Sequence, residues 1–111
     1  HPNLEGLTNT IQKKIEAFLN SSLVKENING TFYQEYEFID KTENTHGIMD
    51  LVIEKEDKMI IVDYKLKNID DDAYDKQLNG YREFLKKKTK KDVECYLYSI
   101  IDEVFRKIKE Q

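Results

Sequence analysis

The sequence predicts an α+β fold, a mixed α/β sandwich in which a hairpin-rich central sheet is flanked by helices. Three observations lead there. Apolar residues recur at spacings of three and four in two segments, near residues 4–20 and 72–88. Two runs rich in Ile, Val, Leu and Met, 48–53 and 59–66, flank a wholly charged pentapeptide, the pattern of a buried hairpin. Two further runs, 31–39 and 93–100, alternate in polarity as strands do. The resulting order, α-β-β-β-α-β, is that of helices packed on a sheet within one layered domain.

In the first segment Leu4, Leu7, Ile11, Ile15 and Phe18 form the stripe of an amphipathic helix. Asn20-Ser21-Ser22 and Asn29-Gly30 close it with turn chemistry. From Thr31 to Ile39, Phe32, Gln34, Tyr36 and Phe38 occupy alternate positions of a half-buried strand. A polar connection, 41–45, leads past His46, read as an exposed loop residue, to Gly47 and the two apolar runs. Asp70-Asp71-Asp72 supplies N-cap candidates for the second helix, whose stripe is Tyr74, Leu78, Tyr81 and Leu85. In the strand 93–100, Val93, Cys95, Leu97 and Ser99 share one face, and Tyr96, Tyr98 and Ile100 the other. Residues 104–108 read as a short terminal helix.

The charged tip, Glu54-Lys55-Glu56-Asp57-Lys58, sets the register of the central hairpin. Centring the turn on Glu56-Asp57 puts Lys55 opposite Lys58 and carries Asp50 opposite Asp63. Glu-Asp suits a type I′ turn poorly, which favours a longer loop; any even-length loop with this centre keeps the pairing, whereas an odd-length loop would shift it by one residue. Cross-strand partners share a face with Cβ atoms roughly 4.5–5.5 Å apart. Lys65 lies on the same face, about 6.6 Å further along. Two carboxylates that close repel unless a cation or a shared proton lies between them. Acids on the polar face of a hairpin are the plain alternative. Asp is depleted in strand interiors, however, and both acids interrupt strongly apolar runs in register.

At 111 residues the chain, 1–111, is one domain, too short to add a motor. No apolar run approaches the length of about 18 residues that a membrane span needs, and no signal-peptide pattern opens the chain. A lone cysteine, Cys95, excludes an internal disulfide and fits a reducing compartment, hence a cytoplasmic location. The net charge of −4 is unlike the basic footprint of nucleic-acid binders. Its distribution is uneven, with acids at 70–72 and bases at 86–88 and 90–91. That basic run reads either as a DNA-facing edge or as a helix C-terminus favoured by the macrodipole.

Gly47-Ile48-Met49-Asp50, Val62-Asp63-Tyr64-Lys65 and Gln77-Leu78-Asn79-Gly80-Tyr81 follow one another on the second strand, third strand and next helix. In that order they resemble the PD-(D/E)xK nuclease superfamily, whose core is restriction-endonuclease-like. Within it they look most like the C-terminal nuclease domain of AddA/RecB helicase-nucleases, over roughly residues 31–100. The resemblance implies Asp50 and Asp63 as ligands of Mg2+ or Mn2+, with the Tyr64 carbonyl completing the shell, and Lys65 as the residue that positions the attacking water. It implies Gln77 and Tyr81, a Gln-x-x-x-Tyr motif, as DNA-binding residues. Glu35, in Gln34-Glu35-Tyr36-Glu37-Phe38, matches the glutamate of an Arg-Glu-x-Pro-Phe-like segment and takes a supporting role, although the Arg and Pro are absent.

Family members carry an upstream helix with a metal-binding His. His1 has no helix before it and reads as a boundary residue, so the chain is expected to be part of a larger helicase-nuclease. Its implied partners are DNA, the helicase motor and a second helicase-nuclease subunit, and its implied role is exonuclease-type cleavage in double-strand break repair and recombination. A nuclease-fold module that binds DNA or a partner without cutting is the alternative. A purely structural domain would leave the registered acids unexplained.

Overall fold

The computed structural model describes residues 4–111, apart from the side chain of Leu4, so His1 lies outside the described residues. The fold is α+β, with three helices around a five-stranded mixed sheet. In chain order these are α1 (Leu4–Leu19), α2 (Ser22–Glu26), β1 (Thr31–Asp40), β2 (Thr45–Glu54), β3 (Lys58–Lys65), α3 (Asp72–Thr89), β4 (Asp92–Ser99) and β5 (Val104–Ile108). The strands lie in sequence order across the sheet. Neighbours are antiparallel except β3 and β4, which run parallel because α3 carries the chain back between them.

Two apolar clusters form on opposite faces. On one, Leu78 and Leu85 of α3 meet Val52, Met59, Ile61, Cys95 and Leu97. On the other, Phe18 of α1 and Leu23 of α2 meet Leu51, Ile53, Ile60, Val62 and Tyr98. The alternation expected for β4 is observed: Val93, Cys95 and Leu97 face α3, and Tyr96, Tyr98 and Ile100 face the other way. Asp71 caps α3, its Oδ1 accepting the Ala73 N–H at 2.9 Å. Burial pushes the Cys95 thiol up to about 11, in keeping with an inert packing residue.

Four local expectations are corrected. Residues 104–108 form a strand, β5, paired antiparallel with β4. Val104, Phe105 and Ile108 suit a pleated surface, and the free edge of β4 offers the hydrogen bonds that a helix of five residues could not match. His46 belongs to β2 rather than to the connection, and its Nε2 lies 3.0 Å from Glu37 Oε1. The third correction concerns β1. Phe32 packs on the α1 side, whereas Tyr36 and Phe38 pack on the α3 side. Between them Glu35 has φ 51 and no ladder partner, and this left-handed residue turns the alternation over.

The fourth correction is the stripe of α1. Phe18 is anchored among Tyr64, Tyr98 and Phe105, with ring centroids 4.9–6.0 Å away. Leu7, Ile11, Ile15 and Leu19 remain about half exposed. Ile11, Ile15 and Phe18 border an apolar cleft of about 480 Å³ whose other wall is Leu51, Tyr64 and Tyr98. The periodicity correctly marks a helix; it does not guarantee that the whole apolar face meets a partner.

Candidate active site

The hairpin register is the one the charged tip implies. Val52 pairs with Ile61 and Leu51 with Val62, which extrapolates to Asp50 opposite Asp63. The Lys55 N–H donates to the Lys58 carbonyl at 2.9 Å, and neither Glu56 nor Asp57 has positive φ, so the tip is not a type I′ turn. Val52 and Ile61 both face α3, but so does Met49, so alternation in β2 breaks at Asp50; that the two acids meet is shown by Asp50 acting directly on the Asp63 carboxyl.

The ladder stops at Leu51–Val62, one step short of the two acids. Beyond it a carboxylate takes the place of a carbonyl: Asp50 Oδ2 accepts the Tyr64 N–H at 2.8 Å. This bond fixes one oxygen of Asp50 and draws the Tyr64 peptide against it. Lys65 sits on the same pleat as Asp63, with Nζ 2.9 Å from Asp63 Oδ2 and 4.4 Å from the centre of the Tyr74 ring. The structure therefore gathers Asp50, Asp63, the Tyr64 peptide and Lys65 at one end of the β2–β3 hairpin, beneath α3.

The electrostatics of this group are unusual. Asp63 is 5% exposed, and its Oδ2 is fully buried without a hydrogen-bond partner, since the nearby ammonium lies off hydrogen-bonding direction. Burial raises the Asp63 carboxyl most, the Lys65 ammonium pulls it down, and the Asp50 carboxyl raises it again; the net shift is upward. Burial works against the charge of Lys65, but the Asp63 carboxylate outweighs it and leaves the ammonium above its ordinary pKa. Tyr64 is pushed up to about 12 by burial and then by the charge of Asp50.

A hard divalent cation fits such a donor set. It takes oxygen ligands, is commonly held by one or two carboxylates, and would offset the charge of the facing Asp63 and Asp50 carboxylates. Among the described residues no group of three or more His, Cys, Asp and Glu forms, so any further ligands would be backbone, water or substrate. Glu35 is exposed and stands at the register position opposite Asp50, but it is not drawn into such a cluster.

Gln77 and Tyr81 lie one turn apart on α3, and Gln77 Nε2 donates to Tyr81 Oη at 3.1 Å. The Tyr81 ring also packs 5.5 Å from Phe38, so it is both a packing residue and a wall beside the acids. Its hydroxyl is raised by burial and then by the charges of Asp63 and Asp50. The basic run is largely engaged within the chain. Lys86 pairs with Glu110, Lys88 donates to Tyr36 Oη at 2.7 Å, and Lys91 donates to the Lys55 carbonyl at 2.8 Å. Lys86, Lys87 and Lys88 occupy the last turn of α3, where the macrodipole favours them.

Sequence reasoning missed two contributors. Tyr74, which carries the Lys65 ammonium, was visible only as a member of a helical stripe. Gly47 is needed because a Cβ there would stand 2.8 Å from the Phe38 ring, its partner across the β1–β2 ladder. Compared with protein-family models and with curated proteins, the chain matches none.

Proposed function

We propose that this domain hydrolyses DNA phosphodiester bonds with Mg2+ or Mn2+, Asp50 and Asp63 providing the ligand carboxylates and the Tyr64 carbonyl a third oxygen. The supporting observation is the buried Asp63 Oδ2, which has a like-charged neighbour in Asp50 and is balanced by the Lys65 ammonium at 2.9 Å. Such an oxygen is a liability in a purely structural sheet and an asset in a cation site. The order of the three motifs along the chain and its resemblance to AddA/RecB-type nucleases supply the reaction class and the substrate. They also supply the proposed partners, a helicase motor and a second helicase-nuclease subunit, and the setting of double-strand break repair.

A divalent ion at this position would supply Lewis acidity to the phosphate and make water a better nucleophile. The chain's own residues do the rest. Asp50, anchored by the Tyr64 N–H, holds a fixed carboxylate edge. Lys65 stays protonated at neutral pH, so it does not act as a base. It donates hydrogen bonds that orient the attacking water and offset charge on the phosphate. Water oxygen bonds to phosphorus and releases a proton to solvent, the bond from phosphorus to the leaving sugar oxygen breaks, and that oxygen takes up a proton. Gln77 and Tyr81 grip the strand next to the phosphate.

Calorimetric titration with Mn2+ and a cleavage assay on labelled DNA test this reading. Asp63→Ala should lose both metal binding and cleavage, and Lys65→Ala should lose cleavage while retaining metal binding. Undiminished cleavage by either variant refutes the assignment. A module that binds DNA or a partner subunit without cutting is favoured by the two-carboxylate donor set, and within that reading the net charge of −4 favours the partner subunit over DNA. It would be indicated by metal-independent DNA binding with no cleavage.

A further inference from the structure

Alongside the acid pair, α3 and the β1–β2 hairpin enclose an open groove of about 780 Å³. Phe38 and Phe84 line its floor with ring centroids 4.8 Å apart, and Tyr81 forms the wall it shares with the candidate active site. Lys76 and Lys87 stand on the α3 side. Gly80 also faces the groove, in the middle of an 18-residue helix.

Gly80 lacks a structural reason. Glycine is a poor helix former, and here it has no positive φ to supply. Nor does it admit a neighbouring element, because no atom lies within 4 Å of where a Cβ would stand. Gly47, whose missing Cβ makes room for Phe38, shows the contrast. What the bare backbone at Gly80 does provide is close access to the helix from the groove. One turn further towards the start of α3, Gln77 bonds to Tyr81, and Tyr74 lies under the Lys65 ammonium. Tyr81 thus borders both the groove and the acid pair.

We propose that this groove seats the nucleotides flanking the scissile phosphate, with Gly80 as the point of closest approach and Phe84 as a stacking surface. The proposal rests on the nuclease reading and extends it from the reacting phosphate to its neighbours. Asp40, Glu43 and Glu83 outnumber Lys76 and Lys87 around the rim. Grip therefore comes from stacking and shape more than from net charge, and binding here depends less steeply on salt than a purely phosphate-based contact would.

The test uses the full chain and a fluorescent single-stranded oligonucleotide, with Ca2+ replacing Mg2+ to prevent cleavage. Gly80→Leu fills the groove and Phe84→Ala removes the stacking ring; each should weaken binding by about 5- to 160-fold, the worth of one stacked base. Gly80→Ala should raise the urea midpoint yet weaken binding, a split that a merely structural glycine would not show. It also serves should Gly80→Leu fail to fold. Unchanged affinity in folded Gly80 variants, or no binding by the wild type, overturns the groove assignment. Mg2+-dependent cleavage that is lost in Asp63→Ala but unaffected by the Gly80 changes leaves the nuclease reading standing without the groove. Groove-dependent binding with no cleavage by the wild type leaves the groove and refutes the hydrolytic reading.

Discussion

Replacing Asp63 with Asn should make the metal-free domain more stable, although it destroys the proposed site. In the wild type the carboxylate is buried, Oδ2 has no hydrogen bond, and Asp50 faces it. Its folded pKa lies above the unfolded value, chiefly through burial. Between those two values the folded state therefore binds more protons than the unfolded state. Stability then falls as pH rises through this window, and the full penalty is present above the folded pKa. An Asn side chain removes the charge; its amide can donate to Asp50, and its oxygen can accept from Lys65. Satisfying one buried polar group in this way should contribute about 1–2 kcal/mol at pH 7.5. Urea denaturation in EDTA from pH 4 to 8 measures it. The stability gap between the Asp63→Asn variant and the wild type should widen with pH, because groups that do not touch Asp63 contribute equally to both and Lys65 stays charged throughout this range. Saturating Mn2+ should reverse the order, since only the wild type gains binding free energy. An Asn variant that is less stable at pH 7.5 in EDTA, or a difference independent of pH, would refute the account of Asp63 as a strained, charged ligand.

Two predictions concern the frame that supports the site. Arg82 is 3% exposed; it donates to the Val93 carbonyl at 3.2 Å and to the Ile108 carbonyl at 2.8 Å, and it also bonds to Asn79, tying α3 to β4 and β5. Arg82→Leu leaves these acceptors unpaired and should lower unfolding free energy by about 2–4 kcal/mol; a loss under about 0.5 kcal/mol in urea would contradict this role. Lys90 ends α3 at φ 61, and its N–H donates to the Lys86 carbonyl. Lys90→Gly relieves the left-handed backbone and should add about 1 kcal/mol, read as a higher urea midpoint with unchanged m.

The candidate site was legible to the extent that it is local. Asp50, Asp63 and Lys65 belong to one hairpin, and a charged tip between two apolar runs leaves few ways to pair it. The register that aligns Val52 with Ile61 also brings the two acids opposite each other, although the faces of β2 change over between Met49 and Leu51. Gln77 and Tyr81 are likewise close in sequence, and helical spacing alone places them one turn apart. The carboxylate of Asp50 bonding to the Tyr64 N–H could not be read this way, because it depends on where the ladder ends rather than on its register.

The sequence by itself determined the sheet-and-helix class, the hairpin register, an acidic cap within residues 70–72 and the two faces of β4. Each follows from periodicity or from side chain–backbone chemistry within a few residues. Tertiary structure decided the rest. It drew residues 104–108 into the sheet, where an open strand edge outweighed local helix preference. It turned the faces of β1 over at Glu35, left the α1 stripe half exposed, and buried Arg82 against the backbone of two strands. It also placed Asp63 out of water beside Asp50. Burial is set by what packs over a residue from distant parts of the chain, and it is burial that raises the Asp63 carboxyl where it faces Asp50.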